Sequence, residues 1–118
     1  MTKITLYHNP RCSKSRATLE LLKQRNIEPE IVLYLETAPD VKSLQSITRL
    51  LGVQAHDLLR TGEAEYSEEM KSWSDDQIFA AINAEPILLQ RPIVVVENSA
   101  TEHRARVGRP PESVLEII

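Results

Sequence analysis

The sequence predicts an α/β fold, and three observations lead to it. A short β-favouring run at Ile4, Leu6 and Tyr7 is followed by a turn, a one-sided helix and a second apolar run, in the order strand, turn, helix, strand. The middle of the chain, roughly residues 40–84, carries helical periodicity and capping signals. Ile93-Val94-Val95-Val96 then has the composition of a core strand.

Asn9-Pro10 ends the first strand, because Pro10 fixes its own φ and pushes Asn9 out of the helical region. From Ser13 to about Arg25 the apolar positions Ala17, Leu19 and Leu22 predict a helix with one buried side, stopped at Asn26. Glu30 to Leu35 reads as a buried strand, parallel to the first and reached by a right-handed crossover. That order puts the 8–13 loop at the carboxyl end of the first strand, where α/β sheets keep their sites. Asp40 is placed to cap a helix with Leu44, Ile47, Leu50 and Leu51 inward and Gly52 at its end. Shorter helical pieces fall near 55–60 and 65–72. Ser74 with Gln77 three residues on forms a capping box for a helix burying Ile78, Phe79 and Ile82. Arg91-Pro92 leads into the Ile93 strand and is a candidate cis peptide. Asn98-Ser99 reads as a turn, residues 103–107 as a further strand, and Gly108-Arg109-Pro110-Pro111 as the start of a last helix with Val114, Leu115 and Ile118 inward.

A chain of 118 residues fits one domain able to bury its own core, and 42% hydrophobic with 26% charged residues is ordinary globular usage. The net charge of −3 argues against a protein that neutralises nucleic-acid phosphates over a broad surface. No apolar run has the length of a membrane helix, and the N-terminus lacks a secretory layout, so the expected location is the cytoplasm. The chain has one cysteine, which excludes an internal disulfide and an all-cysteine metal site.

That residue, Cys12, lies in His8-Asn9-Pro10-Arg11-Cys12-Ser13-Lys14-Ser15-Arg16. A free thiol of ordinary pKa is mostly protonated at neutral pH, and only the thiolate is a good nucleophile. A place just before a helix favours the anion through unpaired N–H groups and the helix dipole. Arg11, Lys14 and Arg16 add positive charge, and Ser13 and Ser15 offer hydroxyl donors. A lone cysteine is more often inert and buried. Its position at a strand end in a charged, polar loop tips the reading to a reactive thiol. Cys12 to Ser15 spells C-x-x-S, a redox pair with its second sulfur replaced. A hydroxyl cannot resolve a disulfide, so the second thiol must come from another molecule, such as glutathione or a partner protein. His8 has two equal readings, a proton carrier paired with the thiolate or a strand-end residue bonded to backbone. His56 and His103 read as surface residues. Arg60, Arg91 and Arg109 are candidate oxyanion ligands, since a guanidinium offers parallel donors and keeps its charge; each alone is more often a solvated surface charge.

These motifs resemble the arsenate reductase family of the glutaredoxin-coupled kind, nearly end to end. The resemblance is carried by Y-H-N-P-R-C-S-K-S-R at 7–16, Leu59-Arg60 with Glu63 and Tyr66, P-I-L-L-Q-R-P-I-V-V at 86–95, and V-G-R-P-P-E at 107–112 before Leu115-Glu116-Ile117. It implies a thioredoxin-like mixed β-sheet flanked by helices, with an inserted helical segment around residues 40–84, in one domain over 1–118. It further implies that the Cys12 thiolate attacks arsenate, that His8 lowers the thiol's pKa, and that Arg60, Arg91 and Arg109 hold the oxyanion. Arg104 and Arg106 are alternatives to Arg109, and Arg11 and Ser15 are supporting residues. Glutathione is implied as co-substrate and glutaredoxin as electron-delivering partner, with no bound cofactor or metal, and arsenite leaves as product. Two other readings stay open: a redox-responsive regulator similar to the Spx proteins, which bind RNA polymerase, and a general monothiol–disulfide oxidoreductase.

Overall fold

The computed structural model describes residues 2–98 and 103–118. Four strands form one sheet: β1 (Thr2–His8), β2 (Glu30–Leu33), β3 (Ile93–Asn98) and β4 (Arg104–Val107), in the order β2-β1-β3-β4. β1 runs parallel to β2, with Leu6 opposite Ile31, and antiparallel to β3, with Leu6 opposite Val94; β3 and β4 are antiparallel. The sheet is therefore mixed, and with its helices the fold is thioredoxin-like. Among the described residues, no helix is long and apolar enough to cross a membrane.

The chain forms two compact units, one of residues 1–33 with 91–118 and one of residues 34–90. In the first unit, α1 (Ser13–Gln24) follows β1. It ends where Asn26 takes the left-handed conformation, φ 61°, and Ile27 N–H returns to the Leu22 carbonyl. Leu6, Leu22, Val94, Val96, Val114 and Ile117 form the core, with Ile4, Leu19 and Ile27 packed against it. Burying each such side chain fully contributes roughly 1.5–3 kcal/mol.

Three expectations change here. The buried side of α1 is Ser15, Thr18 and Leu22, while Ala17 is exposed, because the helix starts with the loop's polar residues turned inward. β2 ends at Leu33 and is an edge strand, with Ile31 44% exposed, so its apolar composition reports strand propensity and not burial. The last helix is a 3₁₀ helix, Pro111–Ile117, and three residues per turn bring Pro111, Val114 and Ile117 inward. Leu115 is half-buried and Ile118 is exposed. The turn expected at Asn98-Ser99 lies, from Ser99 onward, outside the described residues.

The second unit is the inserted helical segment: α2 (Val41–Leu51), α3 (Asp75–Ala84), and 3₁₀ turns at Ala55–Leu58, Glu68–Ser72 and Pro86–Leu88. Asp40 Oδ1 accepts the Ser43 N–H at 2.8 Å, and Gly52 closes α2 at φ 69°, where a side chain would be strained. Leu44 and Ile47 are buried as expected, and Thr48 joins them by donating its hydroxyl to the Leu44 carbonyl at 2.7 Å; Leu50 and Leu51 are half-buried. The Ser74–Gln77 capping box opens α3, which buries Ile78, Phe79 and Ile82. His56 is half-buried rather than fully exposed: its Nε2 donates to the Met70 carbonyl at 2.7 Å, tying two 3₁₀ turns together. His103 is exposed, and its Nδ1 accepts the Asn98 N–H at 3.3 Å.

Candidate active site

The 8–13 loop leaves the carboxyl end of β1 and closes as a tight turn, with Cys12 N–H donating to the Asn9 carbonyl at 3.0 Å. Asn9 Oδ1 accepts the Arg11 N–H at 3.0 Å, the side-chain turn that Asn favours before a helix. Cys12 is then the N-cap residue of α1, with φ −92° and ψ 123°, and its carbonyl accepts the Arg16 N–H. The dipole's positive end and the free N–H groups of the first turn lie beside a half-buried sulfur, and that turn holds no acidic residue.

Burial alone would raise the Cys12 thiol. It is outweighed by the Ser15 N–H, the Arg91 guanidinium and the Lys14 N–H, so the pKa lies below the ordinary thiol value. The sulfur accepts no cap hydrogen bond in this geometry, and the N–H groups act by favouring the charged form. Arg109 Nη2 donates toward Cys12 Sγ at 3.8 Å, and its Nε donates to the Arg91 carbonyl at 2.7 Å. The structure thus brings Cys12, Arg91 and Arg109 together. Two donors of Arg91, Nε and Nη1, are buried with no partner among the described residues. Arg91-Pro92 is cis, and so is Arg109-Pro110, which the sequence did not signal.

Ser15 and His8 meet each other rather than lying free. The fully buried Ser15 Oγ lies 2.6 Å from His8 Nδ1 and accepts the Asn9 N–H at 3.0 Å. Burial lowers the His8 pKa, and the nearby Arg16 and Lys23 lower it further, which favours the neutral ring; the tautomer decides whether Ser15 O–H or His8 Nδ1–H donates in this contact. The Ser15 side chain braces the loop, and its main-chain N–H serves the sulfur. Arg11 and Lys14 are exposed, and Arg16 Nη1 is bonded to the Pro10 carbonyl at 2.9 Å. Arg106 is turned to Glu116, with Nε–Oε2 3.6 Å, and Arg104 is exposed, so Arg109 is the arginine of this segment that reaches the sulfur.

Arg60 belongs to the second unit. It follows an isolated bridge between Leu59 and Leu89, fixed by Arg60 N–H to the Leu88 carbonyl and Gln90 N–H to the Leu58 carbonyl, each 2.7 Å. Its Nε pairs with Glu63 at 3.4 Å, both side chains half-buried. The helical piece expected to carry Arg60 stops at Leu58, because the chain turns extended to make this bridge. Sequence reasoning missed the close seat of Gly108 against Thr18 and Pro92; the only signal was a glycine before Arg109.

The class these features define is a thioredoxin-like protein with a lone thiol at the start of its first helix. Residues 7–117 match the model of the ArsC family. Over the whole chain, the Escherichia coli K12 protein called "Uncharacterized protein YfgD" is 47% identical, across 99% of its own length. The arsenate reductase of Haemophilus influenzae is 40% identical over 98% of both chains. The structure of an arsenate reductase from Vibrio cholerae superposes with a TM-score of 0.88 at 43% identity, covering 99% of this chain and 98% of that one. The chain belongs to the ArsC family, the arsenate reductase family that its motifs resemble.

Proposed function

We propose that this protein is a cytoplasmic arsenate reductase in which Cys12 is the nucleophile and soluble thiols are the reductant. One observation carries most of the reading: Arg91 keeps two buried donors without a partner among the described residues, beside a thiol that favours its anionic form. Stranding buried donors is costly, and a bound tetrahedral oxyanion would satisfy them. Arg91 and Arg109 hold arsenate in this reading. The Cys12 thiolate attacks arsenic, a sulfur–arsenic bond forms, and an arsenate oxygen leaves as water after taking up protons. Glutathione then enters the adduct, its sulfur bonding to arsenic as a second oxygen takes up protons and leaves as water. As the sulfur–arsenic bonds break, two thiols become a disulfide and As(V) becomes As(III), so two electrons pass and arsenite departs. Glutaredoxin clears the mixed disulfide, a task this chain cannot perform with one cysteine.

His8 holds Ser15 and the loop in place, and in this reading its imidazole also relays a proton during the reaction. Arg11 and Ser15 support the loop, the first through its N–H to Asn9 and the second through Asn9 and His8. The test is steady-state arsenite formation from arsenate with glutathione and glutaredoxin. Activity is expected in the wild type and absent in Cys12→Ser; activity that survives the substitution would sink the reading.

A further inference from the structure

We propose that Gly108 is a positioning residue for the two guanidinium groups at Cys12: its missing side chain lets the turn after β4 close onto α1 and Pro92, and that closure sets where Arg91 and Arg109 stand.

A Cβ at position 108 would lie 2.5 Å from Thr18 Oγ1 and 2.7 Å from Pro92 Cγ, closer than such atoms approach. Neither neighbour gives way easily. Thr18 is fully buried with its hydroxyl donated to the Lys14 carbonyl at 2.9 Å, and the Pro92 atom is part of a ring. Gly108 is also wired to both arginines. Its N–H donates to the Pro92 carbonyl at 2.9 Å, one residue from Arg91. The next residue is Arg109, whose Nε holds the Arg91 carbonyl and whose Nη2 faces the sulfur. Moving the turn by the distance a methyl group needs would draw the Arg109 fork off Cys12 and shift the Arg91 backbone with it. Donor geometry at a reacting atom tolerates little such displacement.

The readout is the rate of Cys12 alkylation by iodoacetamide against pH, which needs no arsenate reduction and so stands apart from the proposed activity. Gly108→Ala, with its fold verified by circular dichroism, is expected to lose thiolate at about pH 7, slowing alkylation on the order of tenfold. In a chain already carrying Arg91→Ala and Arg109→Ala, adding Gly108→Ala is expected to change nothing more. A folded Gly108→Ala protein with the wild-type profile overturns the proposal, as does an equal further loss in the background lacking Arg91 and Arg109. If Gly108→Ala does not fold, Gly108→Ala with Thr18→Ala leaves only the Pro92 ring in the way and is read by the same criterion.

Discussion

The Ser15 hydroxyl has two buried neighbours, the Asn9 N–H and His8 Nδ1. Ser15→Ala strands both, and leaving buried polar groups unpaired costs about 1–3 kcal/mol. Urea denaturation of the variant is expected to show a loss of that size. His8 adds a pH dependence. Its native pKa lies below the ordinary 6.5, chiefly through burial, so the unfolded chain takes up the proton first. Stability present above pH 6.5 is therefore lost as pH falls toward the native value. Denaturation midpoints measured from about pH 7 to 5 are expected to fall, with a flatter profile in His8→Asn. At this scale the sequence was informative about chemistry and not about partners. The lone Cys12, Pro10 and Ser15 announce a monothiol before a helix, yet nothing local says that Ser15 faces His8 while its N–H faces the sulfur. That division follows from the helix's direction, which sends the side chain at the third position inward.

Capping residues made the helices of the second unit legible, because a cap satisfies its helix within a few residues. Asp40, Gly52, Ser74 and Gln77 all act where they were read. Ser74→Ala is expected to cost about 1 kcal/mol, seen as a lowered thermal midpoint without loss of the fold. Elements whose surroundings are set by distant chain were harder. β2 has the composition of an interior strand but lies at the sheet's edge, because β3, more than 50 residues later, takes the other side of β1. The final segment shows apolar residues compatible with an α-helix, and only the 3₁₀ geometry chooses Ile117 over Ile118. Arg109 is the same kind of case. Its approach to a sulfur 97 residues earlier in the chain depends on the β3–β4 pairing and on the close seat of Gly108, neither of which is a local signal.

Across the molecule, stability and chemistry share one framework in the first unit. Leu6 is fully buried at the centre of β1, two residues before His8, and belongs to the core with Leu22, Val94 and Val114. Leu6→Ala is expected to cost about 2–5 kcal/mol, a large part of the 5–15 kcal/mol typical of a whole domain, so the variant should unfold at markedly lower denaturant. The same strand delivers the loop whose helix end, with Arg91 beside it, biases Cys12 toward its thiolate, and Arg109 Nη2 stands 3.8 Å from the sulfur. Every later step of the chemistry needs the Cys12 anion. The most direct measurement is the ultraviolet titration of the thiolate in the folded protein, with Cys12→Ser as the blank. A midpoint clearly below the ordinary thiol value of about 8.5 is the predicted result, and a midpoint at or above it would contradict the account.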